Sequence, residues 1–398
     1  MISVSEAISK IRDSIPKPRI QTVSINDSPG YVTAEDIFSD IDLPPFDRSA
    51  MDGYAVRSED LLRPPVELEV IETVAAGYSP NLKLKPGKAI KIMTGAPVPE
   101  NADAVIMVEN TKASGGNMVN CLKSVRKGEN IAMRGEDLKM NARVIPAGTA
   151  IRPQEVALLA AVGKADVSVY SKPEISVLAT GDELVDINVR PNDAQIRNSN
   201  TYSLISQIHK MGFKAHSLGI ARDDRSKLES KIAQGLKSSI FILSGGVSVG
   251  DHDFVEEILK KSGCEIIFNK VAIKPGKPFT FGKTAECLVF GLPGNPVSTF
   301  VITEIFVREA LAGITANSGL RNPVVKARLN ADWPKQSERQ QYINAFFRMT
   351  ETGGIVNPVK SHGSADLVSL SKANALLIIP PDSPKLTAGA TVDVMILS

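Results

Sequence analysis

The sequence predicts a multidomain α/β plus β protein: a doubly wound α/β central domain, a β-rich N-terminal insert and a small C-terminal β-barrel-like domain. Three observations carry this. The chain has 398 residues, more than one hydrophobic core usually serves. Between Pro173 and Gly313 short apolar runs alternate with amphipathic runs of helical length, the rhythm of a mainly parallel sheet covered by helices. On either side, helical periodicity gives way to short runs broken by glycine, proline and asparagine, which read as β-structure.

Each element follows from local pattern. Ser3 and Glu6 stand at capping-box spacing, Val4, Ala7, Ile8 and Ile11 form one apolar face, and Pro16 and Pro18 end the first helix. From about Val23 to Arg143 runs such as VELEVIETV and ADAVIMVEN predict strands. Pro153 fits the first turn of a helix through VALLAAV, with Gly163 as its stop. The α/β stretch then reads EISVLAT and SNTYSLISQIHKMG, KAHSLGI and DRSKLESKIAQGLK, SIFILSGG and DFVEEILKKSG, and CLVFGLPG with a long apolar helix from Pro296. After Gly319, VVKARLNADW, QYINAFFRMT, ALLIIPP and VDVMIL predict strands of a closing β-domain. The expected division is a discontinuous linking domain (1–50 with 138–170), a β-rich insert (51–137), an α/β domain (171–318) and a C-terminal β domain (319–398).

Composition excludes several classes of function. Lys+Arg of 46 against Asp+Glu of 44 gives no electrostatic footprint for nucleic acid or an anionic membrane. Any anion must therefore be met locally. Cys121, Cys264 and Cys287 lie far apart and the four histidines do not cluster, which argues against zinc and iron–sulfur sites. The N-terminus is amphipathic rather than a secretory signal, and no apolar run is long enough to span a bilayer. A reducing cytoplasm is the expected compartment.

Ligands of open α/β sheets bind outside the carboxyl ends of the strands, and four loops there are unusual. EISVLAT is followed by Gly181-Asp182-Glu183, SIFILS by GGVSVGDHD, NKVAI by KPGKP and CLVFG by LPGNP. Gly245, Gly246, Ser248 and Gly250 allow a phosphate to approach the backbone and the next helix N-terminus; alone, such a loop is equally an ordinary strand-to-helix turn. Asp251 and Asp253 beside a phosphate suggest Mg²⁺ with oxygen ligands, helix capping being the alternative for either one singly. Lys274 and Lys277, held on a Pro-Gly turn, suit an oxyanion. In the N-terminal half, PPFDRSAMDGYAV, IMTGAPVPENADAVIMVENT and MRGEDL collect small and acidic residues in loops, each compatible with turn chemistry.

Taken in series, PPFDRSAMDGYAV, IMTGAPVP, RGEDL, TGDEL, SGGVSVGD, AIKPGKP and GLPGNPVS resemble the molybdopterin molybdenumtransferases, the molybdenum insertases that include the E domain of gephyrin. The likeness runs over almost the whole chain. It implies an elongated homodimer whose active site lies between the α/β domain of one subunit and the β-rich domain of the other. The implied substrates are adenylated molybdopterin and molybdate or tungstate, with Mg²⁺-dependent release of AMP. Carried over by motif, Asp251, Asp253 and Glu183 are the acidic positions of the α/β domain, and Asp52, Thr94 and Asp137 those of the partner's β-rich face. Lys270, Lys274 and Lys277 would meet phosphate or molybdate, Pro293, Pro296 and Ser298 would shape the wall, and Ser364 would approach from the last domain. One position departs: relatives carry a basic residue where this sequence has Asn344, the nearest arginines being Arg339 and Arg348. Other cofactor-assembly proteins are possible partners. Two further readings are a molybdopterin adenylyltransferase, which shares the α/β module but lacks the N-terminal β-rich parts, and a non-catalytic dimeric scaffold of the same fold.

Overall fold

The computed structural model describes residues 1–222, 225–246, 254–333 and 337–397. The chain divides into two compact units: Met1–Ala34 with Gly148–Arg152 and Val167–Ser398, and Glu35–Ala147 with Pro153–Asp166.

The smaller unit is built on a six-stranded sheet in the order Ala104–Met107, Gly53–Val56, Lys88–Ile92, Val66–Val74, Met118–Cys121, Thr111–Ala113. Adjacent residues point to opposite faces of a strand, and here both faces are apolar. Val56, Leu68, Ala89 and Ile106 fill one core, while Ala55, Ile90, Ile92 and Val105 fill the other. The run VELEVIETV forms a single strand, and the helix Pro153–Ala161 begins at its proline. It stops at Gly163, which has a φ of 71°.

In the larger unit the first helix, Val4–Asp13, has the reciprocal Ser3–Glu6 capping box and buries Val4, Ala7 and Ile11. They join the core that lines one face of the α/β sheet. That sheet runs Ala215–Ala221, Ile175–Thr180, Ile240–Ser244, Leu288–Leu292, Thr280–Lys283, Glu265–Phe268. The first four strands are parallel and the last two antiparallel. Ile175–Thr180, Ile240–Ser244 and Leu288–Leu292 are buried throughout, so they read as continuous apolar runs. Helices Asn200–Lys210, Arg225–Gly235 and Phe254–Lys261 follow three of the strands. The apolar helix from Pro296 runs to Ile302, widens to π geometry over Thr303–Val307 and resumes as Arg308–Ile314.

One expectation is corrected. NKVAI was expected to end on the same rim as the other strand-end loops, but only Ile273–Lys274 is strand, and it pairs in parallel with Gln340–Thr350 of the C-terminal sheet. The turn that follows therefore belongs to a different sheet edge. The four-residue strands Glu265–Phe268 and Thr280–Lys283 were not predicted, because runs this short carry no readable period.

The C-terminal sheet runs Gln340–Thr350, Gly353–Pro358, Val324–Leu329, Thr391–Ile396, Ala375–Ile379, and the last strand pairs back onto the first. It is a closed barrel-like sheet, filled by Ala327, Leu329, Ala345, Val356, Leu377 and Val394. Gly353–Pro358 escaped prediction because its two glycines and terminal proline read as a turn.

Glu309 ties three segments of this unit together. Its carboxylate accepts from Arg12 Nε at 2.7 Å and from Arg321 Nε and Nη2 at 2.8 and 2.7 Å, and its side chain is 6% exposed. Burial alone would raise its pKa, but the bonds and charges of Arg321 and Arg12 outweigh burial and hold it down to about 2. The resulting stabilisation is complete above the ordinary glutamate pKa of 4.5 and is lost as pH falls from there toward 2. Glu309→Gln is expected to cost about 3 kcal/mol at neutral pH. Denaturant titrations should show the difference shrinking near pH 3; a difference unchanged with pH would refute it.

Candidate functional site

In the smaller unit the three loops singled out by sequence are laced together. Ser49 donates its N–H to Ala96 O and Gly95 donates back to Ser49 O, at 2.9 and 2.8 Å. Arg48–Ser49 pairs with Ile131–Ala132, and Arg134 donates its N–H to the Asp47 carboxylate at 2.7 Å. The Asp52 carboxylate accepts from the Thr94 N–H and hydroxyl at 2.7 and 2.8 Å. Those bonds, the N–H first, hold its pKa below the ordinary carboxylate value. Asp52, Thr94 and Asp137 are all exposed. The arrangement presents an ionised carboxylate, a hydroxyl and a second carboxylate on loops of one unit.

In the larger unit the strand-end rim brings three loops together. Gly245 donates its N–H to Leu292 O at 3.0 Å, and Asn200 Nδ2 reaches both Ser244 Oγ and Gly294 O, at 2.9 and 2.8 Å. Gly245 and Gly246 have φ of 94° and 66°. A Cβ at Gly245 would strike Thr180 O, and one at Gly246 would stand 2.6 Å from Thr180 Oγ1. Only glycine lets the backbone lie on Thr180 this closely. Thr180 is 3% exposed, and its hydroxyl has no hydrogen-bond partner among the described residues. Exposed Glu183 completes the described rim. Ser248, Gly250, Asp251 and Asp253 lie outside the described residues.

A cleft of about 770 Å³ separates the helix-start loop of the α/β domain from the barrel. Lys274, Lys277, Pro293, Ser298 and Ser364 all line it. The Lys274–Lys277 turn is shaped by Gly276, whose φ is 111° and where a Cβ would stand 2.8 Å from Ile302. Val297 donates its N–H to Ser364 O at 3.0 Å, which joins the helix start to the last domain. Lys270 and Pro296 are not on the lining; the charge of Lys270 acts instead on Glu256. Arg339, Lys360 and Asn344 were not assigned to this wall from sequence, yet all three are on it. Arg339 Nη1 donates to Ile273 O at 3.1 Å, beside Lys274. Arg339 thus supplies a cation at the strand start, while Arg348 lies away from the cleft. Position along the strand separates these two arginines: Arg339 stands just before the strand start, whose residues Gln341 to Asn344 line the cleft, and Arg348 is near the far end. None of Lys274, Lys277, Arg339 and Lys360 is ion-paired among the described residues, and with Asp332 the one carboxylate on the described lining, positive charge predominates there.

A doubly wound α/β domain with a glycine-bearing rim, joined to a barrel across a cationic cleft, defines an enzyme-like protein for anionic ligands. Comparison with known proteins sharpens this. Residues 2–163 match the MoeA N-terminal region (domain I and II), 176–313 the "Probable molybdopterin binding domain", and 326–397 the MoeA C-terminal region (domain IV). Molybdopterin molybdenumtransferase of Bacillus subtilis (strain 168) is 34% identical over 404 residues, covering 100% of this chain and 94% of that protein. The protein of the same name from Staphylococcus aureus (strain Mu50) is 34% identical over 400 residues, covering 99% and 95%. A crystal structure of the molybdopterin biosynthesis moeA protein from Pyrococcus horikoshii OT3 is similar at a TM-score of 0.84, with 33% identity and 100% of each chain covered. The chain belongs to the molybdopterin molybdenumtransferase family, and it is a transferase of molybdenum cofactor biosynthesis.

Proposed function

We propose that the protein inserts molybdenum from molybdate, or tungsten from tungstate, into adenylated molybdopterin, with Mg²⁺-dependent release of AMP. The observation that carries this is the cleft: Lys274, Lys277, Arg339 and Lys360 share its lining with a single carboxylate, Asp332, among the described residues, at the edge of the molybdopterin-binding domain. A tetrahedral dianion needs several convergent donors. Lysine ammonium and arginine guanidinium groups supply them, and Ser298 and Ser364 on the same lining add hydroxyls. On the rim, Gly245 and Gly246 would cradle a phosphate, with Glu183 nearby. Pro293 fixes the ridge between rim and cleft, and Pro296 starts the helix behind it.

Among the described residues no three His, Cys, Asp or Glu side chains stand together as a metal site. The carboxylates that would hold Mg²⁺, Asp251 and Asp253, lie outside the described residues. Their all-oxygen chemistry suits a hard, partly hydrated divalent cation.

We further infer that the working form is a homodimer, in which Asp52, Thr94 and Asp137 serve the partner subunit's α/β rim. Phe38, Phe46, Met51, Met133 and Met140 are between 40% and 54% exposed around the loops that carry Asp52 and Asp137. An apolar surface of this kind favours burial against another protein. No helix among the described residues is long and apolar enough to cross a membrane; a cytoplasmic setting among other cofactor-assembly proteins remains the working expectation.

The test is incubation with adenylated molybdopterin, Mg²⁺ and molybdate, followed by AMP release and reconstitution of a molybdoenzyme apoprotein. Absence of both activities overturns the reading. Lys274→Ala and Lys277→Ala are each expected to weaken molybdate binding about ten- to a hundredfold, the loss of one charge-assisted contact. Both side chains are exposed, so stability should change by under about 0.5 kcal/mol. Calorimetric titration beside thermal melts checks this; unchanged affinity would return these lysines to solvent.

A further inference from the structure

We propose that Asn200 is a positioning residue. Its side-chain amide fastens the glycine-bearing rim of the α/β sheet to the Pro293–Pro296 ridge, so that a phosphate on the rim and an anion in the cleft are held at a set separation. This rests on the molybdenumtransferase reading above and adds a residue that acts through two loops.

The first argument is where the amide hydrogens go. Asn200 Nδ2 donates to Ser244 Oγ at 2.9 Å and to Gly294 O at 2.8 Å. A carbonyl oxygen can only accept, so the nitrogen of the amide, not its oxygen, must face Gly294. The two hydrogens of the NH₂ group thus reach two different loops. Ser244 ends the strand Ile240–Ser244 and leads into Gly245, and Gly294 stands between the two prolines of the ridge.

The second is what the amide does not do. Asn200 opens the helix Asn200–Lys210, a place where asparagine side chains commonly bond to the first turn. Here Asn198 takes that part: its Oδ1 accepts from the Thr201 N–H at 3.2 Å, and its Nδ2 donates to Thr201 Oγ1 at 3.0 Å. Buried Thr201, Leu204, Gln207 and Ile208 anchor the helix. The helix therefore needs nothing from the Asn200 side chain, and alanine is the better helix former.

The third is the path of bonds on either side. Behind the rim, the Gly245 N–H donates to Leu292 O at 3.0 Å. Beyond the ridge, Thr299 Oγ1 donates to Pro293 O at 2.6 Å, and the Val297 N–H donates to Ser364 O at 3.0 Å. Asn200 is the side-chain link in a path from the rim glycines to the cleft wall of Pro293, Asn295 and Ser298. A reaction that brings two bound groups together depends on their separation, and a misplacement of about 1 Å can lower its rate on the order of a hundredfold. Each anion alone still finds its own donors.

In the full-length protein, Asn200→Ala is expected to lower kcat for AMP release about ten- to a hundredfold. KM for adenylated molybdopterin and the calorimetric affinity for molybdate should each change by less than about threefold. Ser244→Ala removes one of the two acceptors, and the double variant should be no slower than Asn200→Ala, because both changes cut the same link. Hydrogen exchange gives a readout apart from activity. Asn200→Ala should speed exchange in peptides spanning Gly245 and Val297. Asn200→Asp should speed it at Val297 alone, since the Ser244 hydroxyl can turn and donate to a carboxylate whereas the Gly294 carbonyl cannot. Unchanged kcat with unchanged exchange, or a loss confined to binding of either ligand, overturns the proposal. Should Asn200→Ala fail to fold on thermal melting, the exchange pattern of Asn200→Asp decides it. If the wild type releases no AMP, the functional reading fails, and the exchange patterns still decide whether Asn200 holds the two loops together.

Discussion

Mixing two inactive homodimers, one carrying Asp52→Ala and the other Asp251→Ala, is expected to restore about a quarter of wild-type AMP release. The reason begins with the two groups of residues. Asp52 and Thr94 form one acidic, hydrogen-bonded patch on the smaller unit, and the sequence of the α/β rim supplies glycines and carboxylates that would complete it. Neither group alone both binds a phosphate and surrounds it with charged and polar side chains. A two-fold dimer pairs unlike patches reciprocally, so one interface would build two clefts. In a heterodimer one cleft then carries both lesions and the other none. At exchange equilibrium half the dimers are hybrid and half their sites intact, which gives the expected fraction. Verified heterodimers that stay inactive would mean that both aspartates of a site come from the same subunit, or that the two clefts are obligatorily coupled.

Chelation by EDTA is expected to abolish AMP release, and added Mg²⁺ to restore it. Asp251 and Asp253 offer only oxygen donors, which suit a hard cation that stays partly hydrated. Cysteine is no substitute: Cys121, Cys264 and Cys287 are buried, and burial pushes each thiol up, to about 11, 11 and 12. They remain protonated at neutral pH and are poor ligands. Full activity in a preparation shown to be metal-free would remove any metal role from the two aspartates.

Much of this protein was legible in its sequence wherever local chemistry decides conformation. The Ser3–Glu6 box started a helix because its two side chains bond only to their own neighbouring backbone. Pro153 began another because its missing N–H falls where a helix has no partner to offer. The buried parallel strands declared themselves through unbroken apolar runs, whereas the glycine pair at Gly245, read from sequence as room for a phosphate, lies in the structure against Thr180, a contact that only the fold shows. Motif order was enough to identify the family.

Tertiary structure alone decided where the pieces met. Lys274 and Lys277 were recognised as a rigid cationic turn, but their place beside the barrel depends on Ile273 and Lys274 pairing with Gln340 and Gln341, 67 residues away. No local pattern encodes such a pairing. Arg339, Lys360, Trp333 and Asn344 joined the cleft for the same reason: which residues of a closed barrel face a neighbouring domain is fixed by register, and register arises from contacts distant in sequence. The sequence alone therefore determined the elements, the order of the motifs and the kinds of chemistry available. Packing between remote strands determined which cations share a cleft, because their convergence depends on long-range pairing that local backbone preference does not specify.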